Sequence, residues 1–336
     1  MTLAVDRPYG MFIVRNIQAN ARATMPMKRK DFRDYAEIIF EEFGHKVKHW
    51  VTLNDYEPWV YAHAGYDNGK KAPGRCSHYV DTTCIEGKSG HETYIVTHNL
   101  LNAHAEAVEA FRKCEKPTIT GEYPEIMRKD LRERLPEFTD EQKAKLKNSA
   151  DFLGINYYSA TFSDHVEEPD DSKPTFRQDA RVSWNGTNKD KLAIGSRHDT
   201  AAMPIYSRGF REILKHVKDT YGNPEVIIKE NGYGEFLKEE DSVEVGTKDY
   251  NRMYYLQRHL LAMYEAICID KVNVTGYFFW SLVDNFEWDN GYKSRFGLYY
   301  IDYKKNLKRH EKESAKYYRE FLSQGVRPSL IKRDEL

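Results

Sequence analysis

From residue 31 onward, apolar positions recur with helical and strand spacing in turn. In "DFRDYAEIIFEEFG", Phe32, Tyr35, Ala36, Ile39, Phe40 and Phe43 follow i, i+3, i+4 steps, which predicts a helix stopped at Gly44. "VKHWVTLN" then reads as a short strand. "HETYIVTHNLLNAHAEAVEAFRKC" predicts a long helix with Tyr94, His98, Leu101, Ala105 and Val108 along one face. His98 and His104 there read as core or surface histidines rather than ligands. "DFLGINYYS" reads as a buried strand, and "YSRGFREILKHVKDTYG" as a helix with Phe210, Ile213, Leu214 and Val217 inward. "NPEVIIKENG" predicts a strand ending in a turn. A helix over about 249–269, a strand in "NVTGYFFWSLVD" and a last helix over about 309–323 complete the pattern. Residues 60–90 and 163–200 read as loop, and residues 1–27 show no period and stay unassigned.

Helix and strand in repeated order predict βα units on a parallel sheet, hence an α/β fold. The apolar strands end in Asn54, Asn156, Glu230 and Ser281. In a (β/α)8 barrel such residues stand at the carboxyl rim, where chemistry is done. No glycine-rich phosphate loop follows a strand, no His/Cys/Asp spacing suggests a metal, and no internal repeat is visible. Two acids stand out on this frame. Glu230 closes an apolar strand before Asn231-Gly232, and Glu57 follows another strand end before Pro58-Trp59. Two carboxylates on separate rim positions suit glycoside hydrolysis, one as nucleophile and the other as acid and then base.

Composition narrows the partners. The 51 basic and 52 acidic residues leave a net charge of -1, so no global field favours nucleic acid. No stretch approaches the roughly 20 apolar residues of a membrane span. Cys76 and Cys84 lie in "GRCSHYVDTTCIEG", where a local disulfide is expected in an oxidising compartment. Asn185-Gly-Thr and Asn273-Val-Thr are glycosylation sequons, the second less favoured because it begins an apolar strand. The chain ends in "RDEL", which resembles a retrieval address of the endoplasmic reticulum lumen, while the start does not read as a signal peptide.

The stretches "HAGYDNGKKAPGRC", "THNLLNAHAEAVEAFRKC", "FLGINYYS", "KENGYGE", "GYFFWSLVDNFEW" and "GYKSRFGLYYIDY" together resemble the plant β-glucosidase and myrosinase family, the family 1 glycoside hydrolases. The resemblance runs from about residue 28 to the end. It implies a retaining (β/α)8 hydrolase of β-glucosides that needs no cofactor or metal. It implies Glu230 as nucleophile, forming a glycosyl-enzyme intermediate, with Tyr158 or Tyr157 orienting it. Trp280, Glu287 and Trp288 match sugar-holding residues, and Phe296 matches one near the sugar's far edge. Asn54 and Asn156 complete the expected substrate-binding set.

The chain also departs from that pattern. The family's acid motif is Thr-x-Asn-Glu-Pro, but here Asp55 and Tyr56 separate Asn54 from Glu57-Pro58. An in-line insertion of two residues moves Glu57 by roughly 6–7 Å along a strand, whereas retaining chemistry needs carboxyls roughly 5–5.5 Å apart. Glu57, restored by a bulge, is the first expectation for the acid/base. Asp55 is the second, and no working acid the third. Lys229 precedes the nucleophile and should point away from it, on the other face of the strand. The family's first three strands and its fifth are not found, and only "EKPTIT" separates Cys114 from Gly121. The expected layout is therefore residues 1–27 unassigned, a partial (β/α)8 domain over 28–325, and a tail over 326–336. The expected strands are the fourth, sixth, seventh and eighth, with the fourth pairing the sixth. A truncated or spliced product is expected on those grounds. The leading functional expectation is a retaining β-glucosidase acting on a β-glucoside. The alternatives are an inactive homologue that self-associates or joins full-length relatives, and a thioglucosidase.

Overall fold

The computed structural model describes residues 11–13, 28–47, 49–54, 62–111, 122–147, 149–166, 170, 172–196, 203–238 and 241–324. These fall into two compact units, one within Arg7–Asp151 and Ser163–Ser183, the other within Phe152–Phe162 and Trp184–Leu336.

In the first unit, strand Met11–Ile13 runs parallel to strand His49–Val51, with Phe12 opposite Trp50. The helix Lys28–Phe43 joins them, as a parallel crossover requires. This corrects two expectations. The first 27 residues do carry a strand, and the strand at residue 50 takes Met11–Ile13 as partner instead of the strand at residue 155. Three residues are too few to show a period, so no pattern announced the strand. The helix buries Phe32, Ala36 and Ile39 against Leu53, Ala103 and Ala107. Those last two alanines lie on the second long helix, Glu92–Phe111. Small side chains at the crossing let the two helices approach closely.

Of the two histidines of that helix, read in the sequence as core or surface residues, His98 is buried and His104 half-buried. His98 stacks on Phe138 at 4.3 Å, and His104 sits between Thr52 Oγ1 at 2.7 Å and Ser149 Oγ at 3.0 Å. The polar loop over 67–91 is tied down by buried carboxylate bonds. Asp67 accepts from the backbone N–H of Gly90 at 2.7 Å and of Phe176 at 3.0 Å. Cys76 and Cys84 form the expected disulfide, with Cα atoms 5.6 Å apart. Two further helices, Glu125–Leu131 and Asp140–Leu146, went unread in the sequence, although Thr139 and Gln142 make a capping box at the start of the second.

In the second unit, three parallel strands form a sheet in the order Leu153–Tyr157, Val226–Asn231, Val274–Tyr277. Every residue of the central strand is buried. That is the expected condition for a strand covered on both faces, and it explains the unbroken apolar run Val226 to Ile228. Helices Ser207–Tyr221 and Tyr250–Cys268 cover it through Phe210, Leu214, Leu256, Leu260 and Met263. Gly222 ends the first of these helices at φ 74°, the left-handed cap that glycine supplies freely. Three sequence boundaries shift. The strand predicted in "NVTGYFFWSLVD" is regular only to Tyr277. The final helix begins at Glu313, because Lys308–Glu311 pairs antiparallel with Tyr299–Asp302. The loop predicted over 163–200 holds the short strands Phe162–His165 and Val182–Asn185 and the helix Phe176–Asp179.

Candidate active site

The central strand reads Val-Ile-Ile-Lys-Glu-Asn and delivers Glu230 near its carboxyl end, only 4 % exposed. Alternation puts Lys229 on the opposite face. There its stem lies over Gly154, where an added Cβ would come within 2.5 Å of Lys229 Cδ and Cε. The neighbouring strand therefore carries no side chain at the place the lysine needs.

On the Leu153–Tyr157 strand the register shifts after Ile155, which sets Asn156 opposite Glu230 and Tyr157 opposite Asn231. The chain then turns so that the Tyr158 hydroxyl donates to Glu230 Oε2 at 2.5 Å. A donor at that distance favours the charged carboxylate. Tyr157, the other tyrosine considered, donates instead to the Tyr206 carbonyl at 2.8 Å. The structure thus separates two adjacent tyrosines that the sequence could not.

Asn231 is the next fixed point. Its Nδ2 donates to the Tyr157 carbonyl at 2.7 Å and to the Tyr255 hydroxyl at 2.8 Å. Its Oδ1 accepts from the Tyr277 hydroxyl at 2.7 Å. Burial raises both phenols well above the ordinary tyrosine range, so each hydroxyl keeps its proton and can donate. Gly232 follows because nothing larger fits: a Cβ there would stand 1.9 Å from the Trp280 carbonyl oxygen.

Past the third strand, the segment 280–302 carries the remaining expected sugar-holding residues. Trp280 donates its backbone N–H to the Asn231 carbonyl at 3.0 Å, which brings it beside the end of the strand that carries Glu230. Glu287 and Trp288 sit on a short turn closed by Glu287 N–H to the Gly291 carbonyl at 2.7 Å, and Trp288 is 51 % exposed. Phe296 is buried edge-on to Tyr158, with ring centroids 6.0 Å apart. Asp284 anchors the base of this segment. Its carboxylate accepts from Gly297 N–H at 2.9 Å and Lys312 Nζ at 2.8 Å. Burial lowers the Lys312 ammonium to about 8 against the pull of Asp284.

The structure therefore gathers Glu230, Asn156, Tyr158 and Phe296 and ties Trp280 to the same strand end. Asn54 is half-buried just after strand His49–Val51, in the other compact unit. Glu57 and Asp55 lie outside the described residues, as does the RDEL tail. Asn185 is exposed at a strand end beside Gly186, which has open space around it. Asn273 is exposed too, but its backbone N–H is held by Asn223 Oδ1 at 3.0 Å.

Sequence reasoning missed the support behind the site. The helix Tyr250–Cys268 buries Arg252, Tyr255 and His259, three residues whose types read as surface positions. His259 stacks on Tyr255 at 3.8 Å, its Nδ1 faces the Tyr255 carbonyl at 2.8 Å, and its Nε2 has no hydrogen-bond partner among the described residues. Burial pushes the imidazole down to about 3. An unfolded histidine titrates near 6.5. Below that pH the unfolded chain binds a proton that the folded chain refuses, so stability falls as pH drops from about 6.5 toward 3. We predict a loss of about 2 kcal/mol from this group by pH 5. Urea unfolding of wild type and His259→Phe at pH 7 and pH 5 checks it, and an equal pH 5 loss in both proteins would sink it.

Comparison with known proteins places this architecture. The chain belongs to glycosyl hydrolase family 1, whose profile matches residues 26–118 and 114–326. It is similar to β-glucosidase 23 of Arabidopsis thaliana, 57 % identical over 349 residues that cover 91 % of this chain and 66 % of that protein. It is likewise similar to β-glucosidase 24 of the same plant, 58 % identical over 354 residues with the same coverages of 91 % and 66 %. The chain thus spans just under two thirds of the length of these relatives. Among solved structures, a rice β-glucosidase in covalent complex with glucose matches with a TM-score of 0.83 at 34 % identity, over 88 % of this chain and 70 % of that one. An aphid myrosinase matches with a TM-score of 0.74 at 27 % identity, over 90 % and 71 %. The parallel strands and their helices are part of the (β/α)8 barrel that defines the family's fold.

Proposed function

We propose that the chain is a retaining β-glucosidase that hydrolyses O-β-glucosides. The observation that carries this reading is the 2.5 Å bond from Tyr158 to Glu230 at the end of a fully buried strand. In this reading Glu230 Oε attacks the anomeric carbon as the aglycone oxygen departs, and water then cleaves the glycosyl-enzyme ester. Glu57, or Asp55 in its stead, protonates the aglycone and later deprotonates the water. Glu287 accepts from ring hydroxyls, Trp280 and Trp288 give the sugar apolar faces, and Asn156 and Phe296 border it.

The direct test is a thermal melt with and without gluconolactone, whose flattened ring imitates the oxocarbenium-like transition state. With ligand at roughly 100 times its dissociation constant, the midpoint rises by roughly 3–6 °C. A midpoint that does not move with saturating lactone contradicts a formed sugar site.

We further propose retention in the endoplasmic reticulum lumen through the terminal Arg-Asp-Glu-Leu, with a glycan on Asn185. The Cys76–Cys84 disulfide supports an oxidising compartment. Digestion with an endoglycosidase specific for high-mannose glycans should shift the mobility of the plant-expressed chain, and Asn185→Gln should remove the shift. A chain of unchanged mobility would speak against both.

A further inference from the structure

The geometry points to Tyr255 as a positioning residue that sets the nucleophile through Tyr158. Tyr255 lies on the helix Tyr250–Cys268, does not border Glu230 in the chain, and is fully buried. Its hydroxyl accepts from Asn231 Nδ2 at 2.8 Å and donates to the Tyr158 carbonyl at 2.9 Å. One oxygen therefore joins the residue after Glu230 to the residue that donates to Glu230.

The consequence is a closed loop of bonds. Tyr158 Oη holds Glu230 Oε2, the peptide bond links Glu230 to Asn231, Asn231 holds Tyr255, and Tyr255 holds the Tyr158 backbone. Strand pairing alone does not fix that backbone, because the regular strand ends at Tyr157 and its register has already slipped after Ile155. Asn231 also grips the Tyr157 carbonyl, at 2.7 Å, but it does not reach the carbonyl of Tyr158. Tyr255 itself is held by stacking on His259 at 3.8 Å and by packing on Tyr233 at 5.4 Å. The hydroxyl thus has a fixed place from which to hold Tyr158.

This inference rests on the assignment of Glu230, yet its test does not need turnover. Glutamate labelled with carbon-13 at the side-chain carboxyl is introduced, and the Glu230 signal is assigned by its loss in Glu230→Gln. Its titration is followed by NMR in wild type, Tyr158→Phe, Tyr255→Phe and the double variant. Removing the Tyr158 hydroxyl withdraws a donor from the carboxylate and moves its titration up by roughly one pH unit or more. Tyr255→Phe leaves that hydroxyl in place but releases the backbone that aims it, so the titration moves the same way by a smaller amount. The double variant matches Tyr158→Phe alone, because Tyr255 acts only through Tyr158.

Two results overturn the proposal. One is a Glu230 titration in Tyr255→Phe equal to that of wild type. The other is additive shifts in the double variant, which would mean a general loosening of the site. Near-ultraviolet circular dichroism of each variant confirms that the comparison is between folded proteins. A chain without glucosidase activity would defeat the proposed function and leave this coupling standing or falling on its own titrations.

Discussion

Glu230→Gln is expected to reduce glucosyl transfer from dinitrophenyl β-glucoside at least about 10³-fold. The substitution keeps the size of the side chain and removes its negative charge, so it separates chemistry from folding. The substrate is chosen for its leaving group. Dinitrophenolate departs without a proton, so the first step needs the nucleophile and not the acid. Wild type should release a burst of phenolate equal to the enzyme present, whatever the state of Glu57 or Asp55. The rate after the burst then reports the second step, in which a base must activate water. A steady rate means that one of the two acids serves. A burst followed by little turnover means that the insertion between Asn54 and Glu57 has cost the chain its base. Absence of a burst in folded wild type, or a burst that survives in Glu230→Gln, would refute the assignment.

Arg252→Met is expected to destabilise the chain by about 3–5 kcal/mol in urea unfolding. The guanidinium is wholly buried. It meets Asp249 at 2.5 Å and Glu235 at 3.1 Å, and it donates to the carbonyl of Tyr233 at 2.9 Å and to that of Arg295. Burial opposes its charge, but Glu235 and Asp249 outweigh it and hold the group above its ordinary pKa. Methionine fills similar volume and leaves two acids facing the vacated space without a cation. Asp249 keeps its bonds from Ser314, N–H at 2.9 Å and hydroxyl at 2.5 Å, so the damage concentrates on Glu235 and the two carbonyls. Lysine should recover little, because one ammonium on a flexible stem cannot span acceptors that a planar fork reaches together. A loss below about 1 kcal/mol would mean that water enters and solvates the acids.

The two substitutions mark what could be read from sequence and what could not. The place of Glu230 at the end of a buried strand was legible because that strand is short, apolar and abruptly polar at its end. That is a local signal, and local signals survive without coordinates. The long helices were legible for the same reason, since Phe32, Ala36 and Ile39, and Phe210, Leu214 and Val217, each trace one buried face, although Phe43 and Ile213, read on those faces, are exposed. Tyr158 was narrowed to a pair, and only the turn after Tyr157 decides between its two members. Arg252 was not legible at all. Its partners Glu235 and the Arg295 carbonyl stand 17 and 43 residues away, and nothing in the spacing of a basic residue on a helix reports burial from such distances. The strand Met11–Ile13 failed for a different reason. Its evidence is a register of three residues against His49–Val51, and pairing of that length leaves no imprint on composition.

The Cys76–Cys84 bridge also bears on how the protein is best produced. Bacterial cytosol keeps such pairs as thiols. Cys268 is exposed at the end of its helix, so a chain released from that cytosol into air would offer all four of its thiols to oxidation, the exposed Cys268 among them. Wrong pairings and covalent dimers through Cys268 would then compete with the native bridge. Secretion into the periplasm, or a host with an oxidising cytosol, together with Cys268→Ser, leaves the intended pairing favoured. Material made that way is the material on which the titrations and bursts described above can be interpreted.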